Sequence, residues 1–521
     1  MENYRLKNAS DISSDEDNFE ILKCNITGEC QYEDVQWTLI CDRSGSMYGD
    51  KFNCLLYTMV KMLEYFLEDS IKRNNTHIIH IIAFDNEIAE LKIKINKETK
   101  LESFKEEIKK ILTPKGMTDI GLALNTLNKT KYEENVSMHN VIFMSDGEVT
   151  VGVSNAEKLK ERLETKLNNI TAGTPAILGY GVQHDIDCME KLSSVPNGEY
   201  HCIESTEGAG VVYGEVMHSC LNGYCRNTEL ILEGGQVYDF KSNIWVDKLS
   251  IGRLLFNKPI TWTIKRDHID KEVVAKLRGE SITGEKKEIL ISMVSEPEKG
   301  EVNREVERYR LRYLTQKLLA ETRQLIEEGR QSMWRGPPNA QPAIYSRLKR
   351  QNAGKLSLFK PDSDDENDIL SPPPIKRQRA WPNNEDDGEV ESSSSGSSSP
   401  ERNMVIKTPK EKMIERLEDH MKMLKEYIET NGDDTGFVTV LCDDTYVAIC
   451  SLRAHNGRHF IVARQVSQGN QRAYMASDMS DMQVEDFDNI ISPHQMLRSH
   501  TTPYASQQVV KTIRAVSDNV L

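Results

Sequence analysis

The stretch WTLICDRSGSM, residues 37–47, decides the fold. An apolar run enters Asp42, and oxygen-bearing side chains then recur at every second position as Asp42, Ser44 and Ser46, with Gly45 between the two hydroxyls. Three roles compete for such a pattern. A helix N-cap needs one hydroxyl or carboxylate, and Ser46 is expected to cap the helix that follows, a role compatible with others. A nucleophile elbow would read G-x-S-x-G, but Cys41 and Asp42 precede Arg43, so Ser44 lacks the leading glycine. No histidine lies close in sequence as its base. A metal site accounts for all three oxygens. At the carboxyl end of a buried strand, alternating turn residues can aim at one spot, and a hard cation such as Mg²⁺ takes about six oxygens, waters among them.

The pattern around this stretch supplies the sheet. VQWTLICD (35–42), HIIHIIAFD (77–85), NVIFMSD (140–146) and PAILGYGV (175–182) are short apolar runs. Amphipathic stretches alternate with them: Phe52, Leu55, Leu56, Met59, Val60, Leu63, Phe66 and Leu67 recur at three and four, and LESFKEEIKKIL (101–112) and NAEKLKERLETKL (155–167) behave alike. A further helix, TDIGLALNTL, is expected to open at Thr118. Near-continuously apolar strands between helices predict an α/β fold, a doubly wound, mostly parallel sheet covered on both faces. Two more oxygen donors then belong at the same rim. Thr118 follows PKGM, and Asp146 closes the strand VIFMSDG, both at the carboxyl edge where open α/β sheets bind ligands.

This constellation resembles the von Willebrand factor type A (vWA) domain. DRSGSM, TDIGLAL and SDG are close to that family's wording, as is GYGVQHDIDCMEKLSSVPNGEYHCI (179–203); Met117 stands where glycine is common. The resemblance spans residues 35–222. It implies a Rossmann-like fold and a metal-ion-dependent adhesion site formed by Asp42, Ser44, Ser46, Thr118 and Asp146, holding Mg²⁺ or Mn²⁺. The chemistry implied is adhesion, in which a partner protein's Asp or Glu carboxylate completes the coordination of the cation. Arg43, Lys115 and Glu148 are expected near the rim as solvated charges.

Outside that segment, residues 1–34 read as a polar lead-in and 223–298 as a small antiparallel β domain, from short β-branched and aromatic runs such as NTELILEGG, NIWVDKLSIG and PITWTIK. A helical segment, 299–335, places Leu311, Leu314, Leu318 and Leu325 on one face, expected to dock on the β domain. Residues 336–406 are rich in Ser, Pro and acids and are expected to be disordered. They include KRQR (376–379), a candidate nuclear-import signal, and serines 363, 371 and 399 as candidate phosphorylation sites, with Thr408 just beyond. The amphipathic helix 407–431 carries Ile414, Leu417, Met421, Leu424 and Ile428 in a two-heptad seam, suited either to a homodimer through 409–430 or to covering a small fold. In 432–521, FVTVLCDDTYVAICSLR and RHFIVARQV are expected to form a strand pair or meander. DDTG (433–436) lacks the apolar lead of an aspartic-protease motif and reads as a polar turn.

Composition narrows the function. The chain has 521 residues and a net charge of −15, so the electrostatic footprint of a nucleic-acid binder is missing. Ten cysteines include no CxxC pair and most lie inside apolar runs, which points to buried reduced thiols rather than a zinc site or a disulfide framework, and no Cys/His ladder has RING spacing. No apolar run reaches the ~20 residues of a membrane span, and the first twenty residues do not form a signal peptide. The expectation is a non-enzymatic, cytoplasmic protein, with KRQR as a route to the nucleus, that recruits a protein partner through the cation. Two rivals stand beside it: a ubiquitin-pathway or assembly factor with an activity in 432–521, and a structural protein whose metal only stabilises the fold.

Overall fold

The computed structural model describes residues 2–7, 19–133, 135–167, 175–181, 184–203, 206–268, 273–281, 284–291, 299–334, 407–474, 482 and 502–516. Residues 1–328 and 409–521 form one compact unit. The second unit, 329–408, includes the expected disordered segment, the KRQR cluster and the three candidate phosphoserines, all of which lie outside the described residues.

Uninterrupted apolar runs build the central sheet. β3 (Val35–Asp42), β4 (His77–Phe84) and β6 (Met138–Ser145) are buried along all eight residues, as strands covered on both faces must be. With β5 (Ile88–Ile95), β7 (Pro175–Tyr180) and β8 (Glu199–Ile203) they run in the order β5-β4-β3-β6-β7-β8. All neighbours are parallel except β4 and β5, a hairpin edge. The helices α1 (Asp50–Arg73), α2 (Glu102–Leu112), α3 (Ile120–Lys129), α4 (Ala156–Leu167), α5 (Ile186–Ser193) and α6 (Thr206–Leu221) complete the layer. Trp37 of β3 packs against Phe66 of α1, ring centroids 4.6 Å apart, and Phe84 stacks on Phe143 across the sheet. The register sets the site: Cys41 lies beside Met144, so β3 and β6 end together and deliver Asp42, Ser145 and Asp146 to one rim.

A β-sandwich surrounds the point where the chain enters and leaves this layer. One sheet has the order β1-β2-β13-β10-β11, from β1 (Glu2–Lys7), β2 (Phe19–Asn25), β10 (Gly235–Asp239), β11 (Ile244–Val246) and β13 (Ile260–Arg266). The other is β12-β9-β14-β15, from β9 (Gly223–Glu233), β12 (Lys248–Leu255), β14 (Val274–Glu280) and β15 (Lys286–Ile291). Leu22, Cys24, Leu230, Val237, Trp262, Ile264 and Leu277 share the core between the sheets. Residues 19–25 are therefore not part of a polar lead-in. β2 is a central strand, flanked by β1 and β13, and the α/β layer is inserted between β2 and β9. Its other face, Phe19 and Ile21, packs on Val306 of the long helix α7 (Lys299–Trp334).

The C-terminal strand pair is also corrected. FVTVLCDDTYVAICSLR forms helix α9 (Phe437–Arg453), and RHFIVARQV lies in helix α10 (Gly457–Gly469). The β-branched composition misleads because α9 is buried on nearly every side, which erases the polar stripe that betrays a surface helix. At seventeen residues the run is also too long for an ordinary strand. Beside them, α8 (Pro409–Asn431) buries the expected seam inside its own chain. Met413 and Leu417 join Leu318, Leu319, Ile449 and Leu452, while Met421 and Leu424 join Leu311, Phe437 and Leu441. That seam is therefore not a surface for a second copy. Leu311 of α7 packs with α8 and α9, and Leu318 and Leu325 pack into the core shared with the α/β layer, so this leucine face does not join the sandwich core as expected. A last helix, α11 (Gln507–Val516), lies on α6, where Gly214 admits it: a Cβ there would come within 2.6 Å of the Ile513 Cα.

Candidate metal centre

The loop after β3 turns through a single 3₁₀ turn, Gly45–Met47, before α1, whose N-cap position is Gly49 with φ 86°. That positive φ suits glycine and starts the helix without a side-chain cap, so Ser46 is not the expected N-cap. Ser44 and Ser46 instead face one another, Oγ to Oγ at 3.0 Å. The Asp42 carboxylate is fixed from two sides: Ser44 N donates to Oδ1 at 2.8 Å and Ser145 Oγ to Oδ2 at 2.5 Å. Gly147 N donates in turn to Ser145 Oγ at 2.8 Å, so the end of β6 is organised around Asp42.

Asp146 is 3% exposed, and its two oxygens differ in what they meet. Oδ2 accepts from Lys51 Nζ at 3.0 Å, whereas Oδ1 is buried with no hydrogen-bond partner. An orphaned carboxylate oxygen is costly unless something cationic fills the position. Burial, and then the neighbouring Asp146 carboxylate, push Asp42 up to about 6. Two carboxylates so placed want positive charge, and Lys51 supplies only part of it.

Thr118 reaches this rim through its backbone. Gly45 N donates to Gly116 O at 3.1 Å and Lys115 N to Arg43 O at 2.7 Å, which brings the two loops together. Thr118 is buried; its N donates to Thr150 Oγ1 at 2.8 Å, and its carbonyl accepts from the amides of Thr150 and Val151. It does not cap α3. That role belongs to Asp119, whose Oδ1 accepts from Leu122 N at 2.9 Å. Gly116 makes the loop possible: φ is 67°, and a Cβ would fall 2.3 Å from Asn86 Oδ1. The five expected residues thus share one rim, with Asp42, Ser44 and Ser46 joined directly and Asp146 and Thr118 brought in by β6 and the α2–α3 loop.

Arg43 is not a solvated rim charge. It is buried, with Nη1 donating to Ile111 O at 3.1 Å and Nε 3.4 Å from Asp85, and so ties the loop to β4 and α2. Lys115 pairs with Glu87 at 3.0 Å, and Glu148 is exposed. Two residues matter that sequence reasoning missed. Ser145 was visible only as the serine of SDG, and Lys51 follows Asp50 with no pattern to single it out. Around the site, Tyr48 and Met117 stand out at 81% and 53% exposure, two large apolar side chains on the loops that carry Ser46 and Thr118.

All ten cysteines are buried and none is in a disulfide. Among the described residues of 432–521 is a buried polar network in which Arg464 pairs with Asp443 at 2.7 Å and Asp444 at 3.2 Å, and Gln468 links Asp444 to Arg312. These groups satisfy one another and hold α7, α9 and α10 together. A further group, His184, Cys202 and His459, is brought together by β7, β8 and α10. Burial and the adjacent His459 push His184 down to about 3, and burial pushes His459 down to about 4, so both imidazoles are neutral.

No helix among the described residues is long and apolar enough to cross a membrane. Comparison with curated proteins gives no match. Among solved structures, a von Willebrand factor type A protein from Catenulispora acidiphila is similar at 12% identity and a TM-score of 0.39, over 59% of this chain and 76% of that one. BatB from Bacteroides thetaiotaomicron is similar at 16% identity and a TM-score of 0.27, over 36% of this chain and 97% of that one. The pilus adhesin SpaC from Lactobacillus rhamnosus GG aligns at 11% identity with a TM-score of 0.31, over 53% of this chain and 45% of that one. The family model of the von Willebrand factor type A domain matches residues 38–212, which start within β3 and end within α6: the chain carries a vWA domain.

Proposed function

We propose that this protein is a binding protein, not an enzyme, which engages a protein partner through a divalent cation held by Asp42, Ser44, Ser46, Thr118 and Asp146. The observation that carries this reading is the buried, unpartnered Asp146 Oδ1 beside the Asp42 carboxylate. The donor set is entirely oxygen, which suits Mg²⁺ or Mn²⁺ over softer metals. When bound, such a cation supplies a Lewis-acidic position that a partner's Asp or Glu carboxylate can fill. The chain's own residues do the rest. Ser44 N and Ser145 Oγ orient Asp42, and Lys51 neutralises one oxygen of Asp146. Tyr48 and Met117 favour a partner whose acidic residue sits among apolar neighbours. Ten buried thiols with no disulfide support a reducing, intracellular setting.

The test is Mn²⁺ binding by calorimetry on the full chain, followed by partner capture with and without chelator. The wild type should bind Mn²⁺ and retain a partner only with metal present. Asp42→Ala should lose both while remaining folded. Equal Mn²⁺ binding by wild type and Asp42→Ala, or capture indifferent to chelator, would refute the proposal.

A further inference from the structure

The His184, Cys202 and His459 cluster lies outside the oxygen-lined site and joins distant parts of the chain. Cys202 sits on β8, the outer strand of the α/β sheet, and His184 follows β7, whereas His459 comes from α10, 257 residues from Cys202. Cys202 Sγ and His459 Nε2 are 3.2 Å apart, and the ligating atoms of all three residues lie within 4.8 Å of one another. A tetrahedral ion with bonds of ~2.0–2.1 Å to nitrogen and ~2.3 Å to sulfur holds its donor atoms roughly 3.3–3.8 Å apart, so the widest separation need close by only about 1 Å.

The histidine chemistry agrees with ligation. His184 Nδ1 lies 2.5 Å from Gly181 O, and a carbonyl can only accept, so Nδ1 carries the proton. Nε2 is then the lone-pair nitrogen, and it faces Tyr200 Oη and the cluster. A ring N–H held by a backbone carbonyl while the other nitrogen points inward is the arrangement that orients metal-binding histidines. Gly179 of β7 makes room for the ring, since a Cβ there would fall 2.6 Å from His184 Nε2 and Cδ2. Each of the three ligating residues is at most 5% exposed.

We infer that His184, Cys202 and His459 form a second metal site, soft where the first is hard, that takes Zn²⁺ and clips α10 to the edge of the vWA sheet. One thiolate and two imidazoles suit Zn²⁺ and are poor ligands for Mg²⁺. On binding, the Cys202 thiol releases its proton to water as the Zn–S bond forms, both imidazoles donate Nε2 lone pairs, and no electron changes hands. Three protein ligands leave the fourth position of a tetrahedral ion to the Tyr200 hydroxyl or a water. The clip has supports on either side: Arg472 pairs with Glu199 at 2.9 Å, and Tyr474 Oη bonds His201 Nδ1 at 2.9 Å. The site also neighbours the first, because Asp185 N donates to Asp146 O at 2.9 Å.

The experiment is Co²⁺ titration of the full chain, since Co²⁺ reports thiolate ligation through a near-ultraviolet charge-transfer band and four-coordination through intense visible bands. Wild type should develop both at one Co²⁺ per chain, and Zn²⁺ should bleach them. Cys202→Ser should lose the charge-transfer band, and His459→Gln should weaken Co²⁺ binding at least about tenfold. Asp42→Ala should keep the full spectrum, which separates this site from the oxygen-lined one. Absence of a thiolate band in folded wild-type protein would overturn the inference whether or not the variants fold. So would a band that survives Cys202→Ser, or one that disappears in Asp42→Ala.

Discussion

Replacing Asp42 with Asn tests the electrostatics of the oxygen-lined rim directly. The side chain keeps its shape and its acceptor for Ser44 N, but the buried charge beside Asp146 is gone. Asp42 is raised from an ordinary value of 3.8 to about 6. That displacement corresponds to roughly 3 kcal/mol, the cost the folded apo protein bears for ionising this carboxyl. The sign follows from the direction. A carboxyl whose folded value is raised supports the fold at low pH, and that support is lost as pH rises from about 4 through about 6. In chelator at pH 7.5, Asp42→Asn should therefore be more stable than wild type by up to ~3 kcal/mol, and at pH 4 the two should be alike. At roughly 2–4 °C per kcal/mol for a domain of this size, thermal melts across that pH range would resolve the effect. Added Mn²⁺ should reverse the order, because a ligand at a hundred times its Kd stabilises the folded wild type by ~2.7 kcal/mol and leaves the variant unmoved. An apo Asp42→Asn protein no more stable than wild type at pH 7.5, or a difference that is flat from pH 4 to 7.5, would refute the reasoning.

Leu417→Ala should cost about 2–5 kcal/mol in denaturant unfolding, since Leu417 is fully buried in the core between α8 and its own chain, and size-exclusion chromatography should show no change of oligomeric state. Gly116→Ala forces a Cβ into Asn86 and a side chain into a left-handed φ; it should weaken Mn²⁺ binding measured by calorimetry while the far-ultraviolet circular dichroism stays native. Burial, and then Arg310, push His420 down to about 4. Its neutral form therefore supports the fold above pH 6.5, and that support is lost as pH falls toward 4. The stability gap between wild type and His420→Gln should accordingly shrink by up to ~3 kcal/mol between pH 7 and pH 4 in denaturant titrations.

The central sheet was legible because each of its strands carries its own signal. Residues 35–42 and 138–145 are apolar enough to need cover on both faces, and the oxygens of Asp42, Ser44 and Ser46 follow at fixed spacing. Thr118 and Asp146 were legible through the resemblance and through their places at strand and helix ends. What escaped depends on partners far away in sequence. β2 contains Glu20 and Lys23, and its status as a central strand shows only once β13 lies beside it and Arg266 pairs with Glu20. Helix α9 lost its periodicity because nearly every face is buried. Lys51 and Ser145 act through geometry that no spacing encodes. His459 lies in a segment whose β-branched composition predicts a strand, so nothing in the sequence sets it against Cys202.

The insertion of the α/β layer between β2 and β9 has a consequence for how the protein is made. β2 pairs with β13 in the register Lys23 with Thr261, about 240 residues further on. At ~5–20 residues per second on the ribosome, β2 waits on the order of tens of seconds for that neighbour. During that interval a strand with apolar side chains on both faces is exposed, the kind of unpaired edge that recruits other chains. The inserted layer has all of its own strands by Ile203, with about a quarter of the wait left, so it can fold first and bring its two ends together. Vectorial synthesis would then make the vWA domain the template on which the sandwich closes, and a nascent chain stalled before residue 260 would be the species most in need of a chaperone.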